Sequence, residues 1–132
     1  MISLTITSCQ RDQWIEITEQ LEKYISELQW NTGVVTVFVP HTTAGVTVNE
    51  NADPDVLTDL INTLNHLVPW KSSYRHREGN SAAHLKASLM GCSVSLLVQS
   101  GKLRRGTWQG VYFCEFDGPR TRQCWITFIS TE

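Results

Sequence analysis

The segment VVTVFVPH, residues 34–41, decides how this chain folds. Its first six residues are all β-branched or aromatic, which is typical of a strand buried on both faces in the middle of a sheet. Pro40 has no backbone N–H to donate to a neighbouring strand, so the strand is expected to end there. The next side chain, His41, is therefore predicted to point outward from the end of a central strand.

Alternating apolar and polar residues predict further strands on either side of this segment. These strands are expected over residues 2–6, 46–50, 94–98, 111–116 and 125–129. The sequence DGPR, residues 117–120, separates the last two and is a strong turn signal. Those two strands are therefore predicted to pair as an antiparallel hairpin.

Three segments carry helix signals. Asp12 is predicted to cap the first helix, because apolar side chains recur at helical spacing over residues 14–28. Asp53 and Pro54 suit the N-cap and the first position of a second helix. A third helix is expected over about residues 81–90.

Length and composition indicate a single globular domain spanning residues 1–132, with 41% hydrophobic and 18% charged residues. The order of elements predicts an α+β class: a sheet-rich domain with a largely antiparallel or mixed β-sheet and about three helices. The net charge of −2 gives no reason to expect a nucleic-acid partner. No apolar run reaches the ~20 residues of a membrane span, and the N-terminus does not resemble a signal peptide, so a cytoplasmic location is expected.

Three of the four histidines stand in polar, carboxylate-rich segments. His76 and His84 flank the start of the third helix, so both can reach the space above its N-terminus, where His41 from a strand end would have to join them. They would then form the three-histidine face of a catalytic zinc or related site, with a position left for water. The plainer interpretation is that His76 is a solvated loop residue, His84 contacts its own helix cap and His41 is a strand-end histidine.

Carboxylates near these histidines are candidates for supporting roles. Glu50, Glu78 or Asp53 can orient an imidazole ring or accept a proton. No P-loop, dinucleotide-binding glycine motif or nucleophile elbow is present, which disfavours three common kinds of enzyme.

Further polar residues are candidate substrate ligands. Asp117 and Arg120 are of interest if their turn borders a cleft, and Asn80 is first a helix cap but can also hydrogen-bond a ligand. Trp108 lies in a polar loop over residues 99–110, where it can face a ligand or a neighbouring subunit. The arginines and glycines of this loop can receive a phosphate, or they can simply connect two strands.

Four motifs, in this order, resemble the YjbQ-like family. They are HTTAG (41–45) leading to NENADPD (49–55), HREGNSAAHLK (76–86), GTWQG (106–110) and EFDGPR (115–120). The resemblance covers nearly the whole chain. It implies a small α+β protein that commonly forms homotrimers, with a secondary thiamine-phosphate synthase activity described for some members. The polar motif positions of the family correspond here to His41, Glu50, Asp53, His76, Asn80, His84, Gln109, Asp117 and Arg120.

A synthase of this kind joins a pyrimidine diphosphate to a thiazole phosphate and releases pyrophosphate, so the resemblance implies a phosphorylated small-molecule substrate. The implied catalytic residues are His41, Glu50, His76, Asn80 and His84. The implied substrate-binding residues are Trp108, Gln109, Asp117 and Arg120.

The resemblance also bears on the cofactor. A divalent ion, zinc or magnesium, held by His41, His76 and His84 would act as a Lewis acid on the leaving group. Three histidines suit zinc better than magnesium, which is usually held by carboxylates and water. The alternatives are a metal-dependent hydrolase and a non-catalytic, metabolite-binding trimer.

Overall fold

The computed structural model describes residues 1–132 and contains eight strands and three helices. In chain order they are β1 (Ile2–Thr7), β2 (Gln13–Glu16), α1 (Thr18–Glu27), β3 (Gly33–Phe38), β4 (Ala44–Glu50), α2 (Pro54–Leu67), α3 (Ser81–Met90), β5 (Ser93–Gln99), β6 (Lys102–Arg104), β7 (Gln109–Glu115) and β8 (Thr121–Ser130). This arrangement confirms the predicted α+β class, its antiparallel strand pairing and its three helices.

The strands form two sheets. One has the order β1-β8-β3-β5-β6 and the other β2-β7-β4, and every pair of neighbours is antiparallel. The predicted strand β3 is present and is the central strand of the larger sheet. Its inward side chains, among them Val35 and Val37, join a core of fifteen buried residues that also includes Leu21 and Ile25 of α1.

The outer face of the larger sheet is not covered by any element of the chain. Phe38 on β3 stacks on Trp125 of β8 with ring centroids 5.8 Å apart, and both rings are partly exposed. Leu97 and Ile129 are 64% and 65% exposed on the same face. The prediction that β3 is buried on both faces is therefore wrong for this chain by itself.

The helix predicted to follow Asp12 begins later than expected, and Asp12 does not cap it. Residues 13–16 form β2 instead, where Trp14 lies opposite Cys114 of β7, and the helix starts at Thr18. The helical spacing of apolar residues was misleading there, because pairing with β7 buries Trp14 equally well in a strand. The carboxylate of Asp12 accepts a hydrogen bond from the buried Lys86 Nζ at 2.6 Å.

The predicted hairpin of the last two strands is also wrong. β7 belongs to the smaller sheet and β8 to the larger, so residues 116–120 carry the chain from one sheet to the other. The turn signal was correct, but a turn does not determine which strands pair. As a result, Asp117 and Arg120 lie at a junction between the sheets.

The other two helices lie close to their predicted positions. Asp53 caps α2, because its carboxylate accepts a hydrogen bond from the N–H of Asp55 at 2.9 Å. None of the residues of α2 is fully buried, whereas α3 packs against β4 with Ala82, Ala83, Lys86 and Ala87 buried. None of the three helices is both long and apolar enough to cross a membrane.

Candidate functional site

A polar cavity of about 630 Å³ opens where the end of β3, the start of α3 and the β7–β8 junction meet. Only Phe38, Val39, Pro40 and Cys92 among its fourteen lining residues are apolar. The polar lining consists of His41, Thr42, Thr43, His76, Glu78, Asn80, His84, Asp117, Arg120 and Arg122. Its volume is in the range of small-molecule sites.

His41 occupies a position at which the backbone can no longer extend the sheet. β3 pairs with β8 as far as Phe38 opposite Trp125, and two residues further along the same register Pro40 would lie opposite Gln123. Proline has no N–H, and the imidazole of His41 takes its place by accepting the N–H of Gln123 on Nε2 at 2.9 Å. The ring is thereby held against the edge of β8.

Burial favours the neutral form of His41, and the bond from Gln123 then fixes which ring nitrogen carries the proton. Burial lowers the pKa of His41 and the charge of Arg122 lowers it further, although the backbone carbonyl of Gln123, 3.1 Å from Nε2, and the charge of Glu115 act in the opposite direction. The neutral ring is therefore favoured, and an Nε2 that accepts from an amide leaves the proton on Nδ1. Neutral His41 is then a hydrogen-bond donor to the cavity rather than a base.

A buried ion pair holds the floor of the cavity in place. Arg122 donates from Nε to Glu115 at 2.9 Å and from Nη2 to the second carboxylate oxygen, and also from Nη2 to the hydroxyl of Thr43 at 2.8 Å. Glu115 accepts a further bond from the Ser8 hydroxyl at 2.8 Å. Arg122 thus ties the segment after His41 to β8.

The carboxyl group of Glu115 remains ionised inside the protein. Burial by itself would raise its pKa, but the hydrogen bonds from Arg122, from the N–H of Asp117 and from Ser8, together with the charge of Arg122, lower it below the ordinary value. The two side chains are 4% and 0% exposed, and their charges cancel. Arg122 therefore offers the cavity little net positive charge.

Arg120 is the more available cation of the two. Its Nε donates to the carbonyl of Asp117 at 2.9 Å and its Nη2 to the Asp117 carboxylate at 3.0 Å. Guanidinium has five N–H donors, so these two bonds leave three free, and the side chain is 48% exposed. Asn80 Nδ2 donates to the same carboxylate at 2.9 Å, and Asn80 Oδ1 is buried without a partner.

His76 and His84 face each other edge-on across the cavity wall, with ring centroids 5.5 Å apart. His76 Nε2 lies 3.8 Å from a carboxylate oxygen of Glu78. No group of three or more histidine, cysteine or carboxylate side chains in the structure is arranged to hold a metal ion. His41 contributes to this outcome, because its Nε2 lone pair is already used by Gln123.

The cavity does not include every residue singled out from the sequence. Glu50 and Gln109 face each other at the far end of the β4–β7 ladder, six residues along from the Ala44–Glu115 pair. At about 3.3 Å per residue this places them roughly 20 Å away. Trp108 is next to Gln109 and is 62% exposed. Asp53, the cap of α2, does not line the cavity either.

Sequence reasoning did not identify the ion pair under the cavity, although a signal for it was present. Arg122 is in phase with the buried Cys124 and Ile126 along β8, and Glu115 is in phase with the buried Phe113 along β7. A charged residue on the apolar face of each of two strands is the pattern of a buried pair. Only the topology, which brings those strands together, identifies the partners.

Comparison with known proteins gives a consistent result. The family model described as "UPF0047 protein YjbQ-like" matches residues 2–131. The chain is 49% identical over 128 residues to the UPF0047 protein YugU of Bacillus subtilis, covering 96% of this chain and 97% of that protein. It is 48% identical over 124 residues to a UPF0047 protein of Methanocaldococcus jannaschii, covering 94% and 90% of the two chains.

Solved structures are equally similar. The crystal structure of an uncharacterised YjbQ/UPF0047 protein of Clostridium acetobutylicum superimposes with a TM-score of 0.95 at 48% identity, covering 98% of this chain and 100% of that chain. A protein of unknown function from Sulfolobus solfataricus superimposes with a TM-score of 0.93 at 27% identity, covering 98% and 95%.

These findings overturn the function expected from the resemblance. The relatives are described as members of a family of unknown function, and none of their descriptions mentions a thiamine-phosphate synthase. The structure also shows no group of three or more histidine, cysteine or carboxylate side chains that could hold a metal ion, so nothing in it supports the expected metal site. Both the synthase and the metal-dependent hydrolase relied on that ion. Binding of zinc or magnesium by His41, His76 and His84 stays a prediction.

Proposed function

The chain belongs to the UPF0047, YjbQ-like family, and we propose that its cavity binds a small anionic molecule and transfers a proton to or from it by imidazole chemistry without a metal ligand. The observation that carries this proposal is the convergence of three imidazoles and the half-exposed Arg120 on one cavity of ligand size. A phosphate monoester is the ligand class that this donor set suits best.

Arg120 is the proposed anchor for the anion. Its three free N–H groups provide a planar fork of the kind that binds phosphate or carboxylate oxygens in pairs. The N-terminus of α3 begins beside Asn80 on the cavity wall, and the positive end of a helix dipole favours an anion. Asp117 holds Arg120 in position while the site is empty.

The two kinds of histidine have different proposed roles. Neutral His41 donates from Nδ1 to an oxygen of the ligand, because its Nε2 is occupied by Gln123. His84 is the proposed proton carrier, with His76 edge-on to it and Glu78 next to His76.

Binding is tested with methyl phosphate as the probe and amide chemical shifts as the readout. An Arg120→Gln variant should lose at least about tenfold in affinity, since a charge-assisted bond contributes about 1.5–3 kcal/mol. Arg104→Gln, at an exposed position on β6, is the matched control and should bind as the wild type does. Equal affinity in the Arg120 variant, or shifts confined to residues outside the cavity, would refute the anion site.

Proton transfer is tested by screening phosphate esters for turnover and repeating any reaction found with a His84→Gln variant. Loss of a general acid or base typically slows a reaction about 100-fold or more. His66→Gln, an exposed histidine near the end of α2, is the matched control. Turnover that is unchanged in a folded His84→Gln protein would remove His84 from the mechanism.

We also propose that the chain assembles as a homotrimer through the outer face of the five-stranded sheet. The exposed apolar residues of that face, Leu97 and Ile129 among them, support this assembly, because such a patch commonly marks an interface. Leu97→Glu should then yield a smaller species in sedimentation experiments, whereas Leu67→Glu, on exposed α2, should not. Location in the cytoplasm stays a prediction.

A further inference from the structure

A second cavity of about 470 Å³ adjoins the first one and shares four lining residues with it. The shared residues are His41, Thr42, His84 and Cys92. The two histidines that define the proposed site therefore stand between two spaces rather than at the bottom of one.

The second cavity has a different chemical character from the first. Its remaining lining comes from Ala44, Ala87, Ser88 and Gly91, and no charged side chain borders it. The hydroxyl of Ser88 already donates to the carbonyl of His84 at 2.9 Å. The first cavity, by contrast, is bordered by Glu78, Asp117, Arg120 and Arg122.

Close contact between β4 and the end of α3 lies next to this second cavity. A Cβ on Gly45 would lie 2.7 Å from the carbonyl oxygen of Gly91, so only glycine permits this approach. The N–H of Val46 donates to the same carbonyl at 3.1 Å and holds the two elements together. The buried Ala44 and Ala87 belong to these same two elements and give the cavity an uncharged, small-residue wall.

We propose that the two cavities hold two parts of one ligand: an anionic group beside Arg120 in the first, and an uncharged, mainly apolar group joined to it in the second. The connecting bonds pass between His41 and His84. This inference rests on the proposed anion site and adds the nature of the group that the anion carries. One ligand is favoured over two because the two cavities share four lining residues, so a ligand held in one lies against side chains that also border the other.

The test compares the affinity of the full chain for inorganic phosphate, methyl phosphate, phenyl phosphate and 1-naphthyl phosphate. Burying one face of an aromatic ring should strengthen binding about tenfold over the methyl ester. In protein labelled at its alanine methyl groups, the aromatic esters should shift the signals of Ala44 and Ala87 through the ring current. The exposed Ala52 should not respond.

A variant locates the effect. Ser88→Leu, at an exposed helical position, places a larger side chain in the second cavity and should abolish the gain of the aromatic esters while leaving methyl phosphate affinity unchanged. Ser26→Leu, on the exposed side of α1, is the matched control and should retain the gain.

The outcomes separate this inference from the proposal on which it depends. If none of the four probes binds at Arg120, the anion site itself is refuted, and the two-part ligand with it. If inorganic and methyl phosphate bind but the aromatic esters bind no more tightly and do not shift Ala44 or Ala87, only the two-part ligand is refuted.

Discussion

Replacing Arg122 with methionine should destabilise the protein by about 3 kcal/mol. Breaking a buried ion pair by removing one partner typically costs about 3–5 kcal/mol, because the remaining charge stays buried without its partner and without contact to water. Here Glu115 would keep three hydrogen bonds, from the Ser8 hydroxyl and from the N–H groups of Phe116 and Asp117. These bonds place the expected loss at the lower end of that range.

The loss should also depend on pH, since the pKa of Glu115 lies below its ordinary value of 4.5 in the folded protein. A depressed carboxyl pKa stabilises the fold above the unfolded pKa, and that contribution disappears as the pH falls through the folded pKa. In the variant, Arg122 no longer lowers the pKa of Glu115, while burial still raises it. Ionisation of Glu115 therefore contributes less to the stability of the variant than to that of the wild type. The difference between wild type and variant should therefore shrink in acid.

The assay is guanidinium unfolding followed by tryptophan fluorescence at about pH 7 and about pH 3.5, at one fixed protein concentration because assembly affects apparent stability. Arg104→Met, at an exposed position of β6, is the control and should change stability by less than about 0.5 kcal/mol. A loss below about 1 kcal/mol at neutral pH, or a loss of equal size in acid, would refute the account of the buried pair.

Three further predictions concern the cavity and its walls. In nitrogen-15 spectra, Nε2 of His41 should remain an unprotonated acceptor to below pH 6.5, and an Nε2 that is protonated at neutral pH would contradict the bond from Gln123. Because burial lowers the pKa of His41 in the folded protein, the fold should lose stability as the pH drops from 6.5 through that folded-state pKa. Gly45→Ala should cost about 1–3 kcal/mol in a denaturation experiment, whereas Gly106→Ala, which meets only the flexible Gln109 side chain, should cost less than about 0.5 kcal/mol. Elemental analysis decides between the metal site expected from the sequence and the proposed metal-free site. The proposal requires far less than one zinc or magnesium ion per chain and a methyl phosphate affinity that a chelator leaves unchanged, whereas stoichiometric metal that is lost on replacing a cavity histidine would refute it.

Local patterns determined much of the fold directly from the sequence. The alternation of β1, the β-branched run of β3 and the Asp53–Pro54 start of α2 involve residues within a few positions of one another, so neighbouring residues suffice to predict them. The polar residues at the ends of these elements were also informative. His41, Asn80, His84, Asp117 and Arg120 were chosen for that reason, and all of them line one cavity.

Only the tertiary structure decided which segments meet. β7 and β8 flank a strong turn signal, yet they belong to different sheets. Residues 13–16 have helical spacing, yet they form a strand, because pairing with β7 outweighs a weak local helical preference. The same distinction explains why Glu50 and Gln109 do not join the cavity, since strand length and register carry them away from it.

The chemistry of the site depends on the same long-range contacts. The bond from Gln123, a residue 82 positions away in the chain, fixes which ring nitrogen of His41 carries the proton. Arg122 on β8 and Glu115 on β7 belong to different sheets and neutralise each other's charge. The sequence does not show that these two strands meet, so it does not show whether either charge faces a cavity or is paired in the core. Sequence determines which side chains are available, whereas burial and hydrogen-bond partners, which exist only after folding, determine what those side chains can do.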